Sequence, residues 1–318
     1  MDTVDKKKVL EYNRQPVISP WFDHQLDALI RRGTYHTNID LLEEKLVSDL
    51  QEYKKKYQIE NVVLGVSGGI DSAVTAALFK KAGWNVTGVL LPILQNPEET
   101  DRGQETCDKL GIECVKVDLT EVYEKFISEM KDADVVLFEG EDNSKAVKVR
   151  RGNIRARLRM NTLYNMAASK QGLVASTDNF SELAAGFWTL HGDVGDIAPI
   201  QSLTKSWEVP ALAERLGVPQ SVIDAKPTDG LGVANGDEDQ FGFSYLEFDI
   251  ALFSLFENKY IGQQLEDAND SKIISEVAKR ISSTTYKRFN PLNLQHPYDT
   301  ERYSYLQELD NHLDNKGD

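Results

Sequence analysis

Residues 67–72 read Ser-Gly-Gly-Ile-Asp-Ser, and their types and spacing suit the binding of a polyphosphate. The run Val62-Val63-Leu64-Gly65-Val66 before them has strand character, and Ala73-Val74-Thr75-Ala76-Ala77-Leu78-Phe79 after them has helix character. The glycines therefore occupy a strand-to-helix turn, where free backbone N–H groups and the positive end of the helix dipole attract phosphate oxygens. Ser67 and Ser72 add hydroxyl donors, and Gly68 and Gly69 allow an anion close to the main chain. No lysine follows Gly69, so the loop is not a G-x-x-x-x-G-K-[ST] motif. The charge placed there is negative instead. A carboxylate beside a polyphosphate is repulsive unless a divalent cation lies between them, which marks Asp71 as a candidate magnesium ligand.

The elements around this loop alternate. An amphipathic helix carried by Ile39, Leu42, Leu46, Leu50 and Tyr53 precedes the loop strand. Strand-like 86–91, helical 98–110 closed by Gly111, strand-like 112–117 and helical 121–130 follow. Such alternation predicts a doubly wound α/β fold with a parallel sheet covered on both faces, and places ligands beyond the carboxyl ends of its strands. A long helical pattern over 146–170 carries Arg150, Arg151, Arg155, Arg157 and Arg159. Alternate positions on a helix spread around it, so only one or two of these arginines are expected at the ligand edge. Leu173-Val174-Ala175-Ser176 is a further strand, and Thr177-Asp178-Asn179 a second strand-to-helix turn at the same edge. Helices are expected around 208–216, 245–256 and 273–282, with a loop rich in Gly and Asp over 227–242.

The 318 residues carry a net charge of −15, which argues against general affinity for nucleic acid. The first residues lack an apolar signal core, and no apolar run approaches the length of a membrane span. A cytoplasmic protein with no membrane partner is expected. Only Cys107 and Cys114 are present, without a C-x-x-C pair, which argues against a zinc knuckle, an iron–sulfur centre and a disulfide scaffold. Residues 1–37, with Pro16, Pro20, Trp21 and Phe22, read as an arm that packs on the body, and residues 289–318 as a polar tail.

The order of motifs is specific. S-G-G-I-D-S, G-N-I-R-A-R-L-R-M (152–160), S-T-D-N-F-S-E-L-A-A-G-F (176–187), H-G-D-V-G-D-I-A-P-I-Q-S-L-T-K (191–205) and K-P-T-D-G-L (226–231) together resemble the ammonia-dependent NAD synthetases, within the ATP pyrophosphatase superfamily. The resemblance runs from about Leu41 to Arg288 and implies an adenine nucleotide alpha-hydrolase-like fold over a synthetase domain of residues 38–288. It also implies ATP contacts from Gly65, Ser67, Gly68, Gly69, Ser72, Thr177, Lys205 and Thr228, and magnesium ligation by Asp71 and Glu182. Asp71, Glu182 and Lys205 would carry the catalysis. Arg157, Tyr286 and Lys287 would meet the dinucleotide substrate, deamido-NAD. The implied reaction adenylates the nicotinate carboxylate and displaces AMP with ammonia, in a homodimer. Residues 1–37 contain no cysteine for a glutaminase domain, so free ammonia is the expected nitrogen source, and a separate glutaminase subunit is not indicated. Two positions depart from the family pattern: Leu190 where many bacterial members have lysine, and Tyr286 where they commonly have histidine. The alternatives are another ATP pyrophosphatase acting on a different carbonyl, or a nucleotide-binding regulator that has lost catalysis. Intact Asp71 and Glu182 count against the second.

Overall fold

The computed structural model describes residues 4–15, 17–32, 38–130, 133–134, 145–226, 238, 242–258, 265 and 267–288. Thr228 with nearly all of the 227–242 loop, nearly all of the acidic 132–144 loop and the 289–318 tail lie outside the described residues.

Four strands, β1 (Asn61–Gly65), β2 (Asn85–Leu90), β3 (Glu113–Lys116) and β4 (Gly172–Val174), form a parallel sheet in the order β3-β2-β1-β4. The register pairs Val63 of β1 with Thr87 of β2 and Val174 of β4. Val62, Val63 and Leu64 are all fully buried, as an uninterrupted apolar run in a parallel sheet should be. Alternate residues serve opposite faces. Val62 and Leu64 join a core with α3 (Ile39–Tyr57), α4 (Ile70–Lys81) and α5 (Pro97–Leu110), whereas Val63 packs with α6 (Thr120–Glu129) and α7 (Lys145–Ser169). The sheet is therefore doubly wound. The chain steps from β1 to β2 to β3 on one side and returns to β4 on the other side of β1, so strand order reverses between β1 and β4. That reversal point is where a ligand crevice opens in folds of this kind.

Beyond β4 come α8 (Phe180–Ala185), α9 (Glu208–Arg215), α10 (Gln220–Ile223), α11 (Tyr245–Asn258), α12 (Ala268–Ser283) and α13 (Thr285–Arg288). Helix α12 starts five residues before the first apolar position that signals it, because the Asp267 carboxylate accepts from the backbone N–H groups of Asn269 and Asp270. Residues 4–32 hold two helices, α1 (Lys6–Tyr12) and α2 (Pro20–Arg32). Asp5 caps α1 by accepting from Lys8 N at 2.8 Å. Phe22 and Leu26 on α2 are 0% and 1% exposed and belong to the same core as the sheet face that carries α4. Among the described residues no helix is long and apolar enough to cross a membrane.

Removing the Phe22 ring leaves a void that only a shift of α2 could fill. Phe22→Ala is expected to lower stability by about 3–5 kcal/mol in urea unfolding; a loss near zero would mean that α2 is not part of the cooperative core.

Candidate active site

Between β1 and α4 the main chain makes a loop that only glycine permits at its centre. Gly68 has φ +84°, and a Cβ there would stand 2.0 Å from the Glu99 carbonyl oxygen of α5. Gly103 also lets α5 approach the loop, since a Cβ on it would lie 2.7 Å from Val66 O. Within the loop, Ser72 Oγ accepts from Ser67 N at 3.2 Å and donates to Gly69 O at 3.0 Å, and Ser67 Oγ accepts from Gly69 N at 3.3 Å. A cavity of about 550 Å³ opens above it, lined by Gly65, Ser67, Gly68, Gly69, Asp71 and Ser72 on one side and by Thr177, Glu182, Lys205 and Lys287 on the other.

Three charged groups converge there. Asp71 lies in the first turn of α4, and Glu182 in the first turn of α8. Asn179 joins these two helix starts. Its side chain and that of Glu182 form a reciprocal capping box, Asn179 Oδ1 accepting from Glu182 N at 3.0 Å, while Asn179 Nδ2 donates to Asp71 Oδ1 at 3.1 Å. Lys205 completes the set: its ammonium pairs with Asp71, lies 3.6 Å from Glu182 Oε1 and sits 5.7 Å from the centre of the Tyr245 ring. Its side chain is only 9% exposed.

The turn that carries Lys205 is held by two buried carboxylates. Glu208 accepts from Thr204 N at 2.8 Å and from Thr204 Oγ1 at 3.0 Å. Asp249, fully buried on α11, accepts from Ser181 Oγ at 2.6 Å, from Ser206 N at 3.2 Å and from Ser206 Oγ. Ser181 Oγ in turn accepts from Lys205 N at 3.0 Å. Ser181 precedes Glu182 and Ser206 follows Lys205, so a single carboxylate fixes the spacing of two cavity charges. Burial raises the pKa of Asp249 to about 6 and that of Glu208 to about 7. Sequence reasoning did not find Asp249. Its signal is a lone acid inside the apolar run Phe248 to Phe253, a place where a charge survives only with buried partners.

A second wall of the cavity is polar. Arg159 donates to Leu91 O and to Gln95 Oε1, both at 3.0 Å, and burial lowers its pKa to about 10. Asp193 accepts from Thr189 N at 2.5 Å, and desolvation pushes its pKa up. Asp178 accepts from Gln201 Nε2 at 3.0 Å, and burial, helped by the nearby Asp193 charge, raises it to about 7. Lys287 donates to Gly186 O at 2.7 Å, and desolvation lowers its pKa. Of the arginine run, Arg159 is the member that lines the cavity. Arg155 is buried over the Tyr123 ring. Arg157 is exposed and donates to Leu190 O at 3.1 Å, outside the cavity wall. Tyr286 is 61% exposed and also stands away from it, as does exposed His191.

The donor set suits a hard cation. Two carboxylates aim at one position, now filled by the Lys205 ammonium, beside a loop of N–H and hydroxyl donors. Among the described residues no group of three or more His, Cys, Asp or Glu side chains is gathered so that it could hold a metal ion, and here only two carboxylates meet. Such a partial shell matches magnesium, which keeps waters and takes phosphate oxygens as ligands.

The doubly wound sheet and the loop at its reversal point define an α/β nucleotide-binding fold of the adenine nucleotide alpha-hydrolase class. The NAD synthase family model matches residues 42–291. The NH(3)-dependent NAD(+) synthetase of Finegoldia magna is 36% identical over 239 residues, covering 74% of this chain and 92% of that protein. Its counterpart from Carboxydothermus hydrogenoformans is 38% identical over 213 residues, 66% of this chain and 84% of that protein. Among solved structures, the NMN synthetase of Francisella tularensis superposes with a TM-score of 0.68 at 31% identity, covering 82% of this chain and 99% of that one. The NH3-dependent NAD synthetase of Campylobacter jejuni superposes with a TM-score of 0.64 at 30% identity, covering 81% and 100%. The chain belongs to the NAD synthase family.

Asp249→Asn turns an acceptor into a donor opposite Ser181 or Ser206. It is expected to lower kcat by about 10- to 100-fold with little change in thermal midpoint, and kcat measured per folded active site checks this. Asp178 gives a pH signature. The fold disfavours its charged form, so the group adds no penalty near pH 4 and its full penalty above about pH 7. Asp178→Asn should therefore gain stability over the parent by about 1–3 kcal/mol at pH 8 and markedly less at pH 4.5, read from urea unfolding at the two pH values.

Proposed function

We propose that this protein is a carbon–nitrogen ligase that makes NAD from deamido-NAD and ammonia with the cleavage of ATP to AMP and pyrophosphate. The observation that supports this reading best is the meeting of Asp71, Glu182 and Lys205 over a phosphate-suited loop at the β1/β4 reversal. Hydroxide is a poor leaving group, so amide formation from a carboxylate requires activation. A nicotinate carboxylate oxygen attacks the α-phosphorus of ATP, the bond to the β-phosphate oxygen breaks, and pyrophosphate departs with the electron pair. The nitrogen lone pair of ammonia then attacks the carbonyl carbon of the adenylate. The bond to AMP breaks and the nitrogen gives up a proton.

The side chains have electrostatic tasks in this scheme. N–H groups of Gly68 and Gly69 and the hydroxyls of Ser67 and Ser72 take up charge on the departing pyrophosphate. Lys205, released from Asp71, neutralises charge near the α-phosphate. Asp71 and Glu182 would hold magnesium, which supplies Lewis-acid neutralisation of the phosphate oxygens when bound. Thr177 and Gly65 border the nucleotide, and Thr228 is assigned to it by resemblance. Arg157, Tyr286 and Lys287 belong to the pyridine nucleotide. Of these, Lys287 alone lines the cavity. A cytoplasmic homodimer built on a synthetase unit of residues 38–288 completes the proposal.

A second reading keeps the chemistry and changes the acceptor. Arg157 and Tyr286 lie outside the cavity, and Leu190 supplies no charge for a second nucleotide half. A shorter acceptor, nicotinate mononucleotide, would use the same adenylation, and the Francisella tularensis neighbour is an NMN synthetase.

Incubation with ATP, magnesium, ammonium and either deamido-NAD or nicotinate mononucleotide, with products separated by chromatography, tests both. NAD and AMP in equal amounts from deamido-NAD support the first reading. NMN and AMP from the mononucleotide alone would replace it with the second, and no AMP with either would remove both. Asp71→Asn is expected to lower turnover by at least about 10²-fold while the thermal midpoint stays within a few degrees of the parent.

A further inference from the structure

Asp249 and Glu208 hold the Lys205 turn from within. Its outer side is met by residues 4–32, which precede the family match at 42–291. Two consecutive residues at the end of α1 make the contacts. Asn13 Nδ2 donates to Val9 O at 2.7 Å and to Ser206 O at 2.7 Å. The Arg14 guanidinium donates to the carbonyl oxygen of Asp224. Ser206 follows Lys205, and Asp224 precedes Ala225 and Lys226, all of which except Ser206 and Asp224 themselves line the cavity. The end of α1 thus grips the main chain beside two separate cavity walls.

Docking of this segment has its own anchors. Lys8 Nζ and Tyr12 Oη each donate to Glu214 on α9 at 2.9 Å, and Ser19 Oγ donates to Asp270 at 2.7 Å. Val9 and Phe22 are 2% and 0% exposed. Asn13 and Arg14 are shaped for a different purpose. Arg14 adopts φ +49°, a left-handed conformation that a side-chain-bearing residue rarely takes, and the turn is closed by Arg14 N donating to Glu11 O and Gln15 N donating to Leu10 O. That turn aims both side chains at carbonyl oxygens. The Arg14–Asp224 carboxylate separation of 4.0 Å, with both groups more than half exposed, adds little, so the carbonyl contact is the one that matters.

We propose that Asn13 and Arg14 are positioning residues for the nucleotide site, bracing the Ser206 and Asp224 carbonyls so that Lys205 and the 225–226 wall keep the spacing a triphosphate needs. The inference rests on the reading of the cavity as an ATP site. The experiment is calorimetric titration of magnesium–ATP into the full-length parent and its Lys8→Ala, Asn13→Ala, Arg14→Ala and Arg14→Lys variants, with steady-state kinetics in parallel. Asn13→Ala and Arg14→Ala are expected to weaken ATP binding and raise its KM by about tenfold, with a smaller fall in kcat. Lys8→Ala, which loosens docking alone, should bind as the parent does, and Arg14→Lys should recover most of the loss because it keeps a donor. Parent-like binding by Asn13→Ala and Arg14→Ala, or an equal loss in Lys8→Ala, would overturn the proposal. Should Asn13→Ala fail to fold, the Arg14→Ala and Arg14→Lys pair decides it. A parent that binds no ATP overturns the nucleotide reading itself, and the inference with it.

Discussion

Two carboxylates facing one half-enclosed cavity repel each other unless a cation stands between them, and the arrangement of this protein follows from meeting that condition. Asp71 comes from the first turn of α4, which follows β1, and Glu182 from the first turn of α8, which follows β4. They approach because β4 pairs beside β1, not beside β3 where the strand sequence would otherwise carry it. Lys205 balances them in the structure described here. With the Lys205 ammonium between them the two carboxylates are satisfied without leaving the cavity, so a single cationic position sets the distance at which the two helix starts can face each other.

Holding a lysine at such a point requires a turn that does not drift. Thr204 to Ser206 lies between short helices and has no strand to stiffen it. Its stiffness comes from Glu208 and Asp249, both buried and both with raised pKa values because the interior disfavours their charge. A buried carboxylate weakens the fold unless its hydrogen bonds are complete, and here every acceptor contact goes to a residue flanking the site. The core beneath is conventional, with Val62 and Leu64 serving one face and Val63 the other. The unusual groups are concentrated where Lys205 and Glu182 must be set against each other.

Much of this was legible in the residues, for reasons that differ from place to place. The β1 loop could be read because its constraint is local: a glycine at φ +84° between an apolar strand and a helix start is written in adjacent letters. The sheet could be read from period and alternation, since β1 to β3 follow one another with a helix between each pair. Helices α1 and α2 were not read. Their helical state depends on an Asp5 cap and on Phe22 and Leu26 finding a core made by distant residues. Asp249 was missed for the same reason. Its partners, Ser181 and Ser206, are ordinary in their own segments and gain meaning only when α8 and the Lys205 turn meet over α11.

The arginine run shows where spacing reaches its limit. Arg155, Arg157 and Arg159 are chemically alike and two residues apart, yet α7 sends them to three environments: a buried ring contact, an exposed rim and the cavity. Helical geometry excludes their sharing one face, but which one enters the cavity depends on the outer end of β2, where Leu91 O accepts from Arg159. The cavity side of this division is densely cross-linked by hydrogen bonds. The rim side has Arg157 against the Leu190 carbonyl and Tyr286 exposed to solvent. Substitution is physically easier there, because a changed rim residue leaves no buried group without a partner. A densely bonded cavity can thus stay fixed while the exposed rim beside it varies, and structures named for NAD and for NMN synthetases both superpose on this fold.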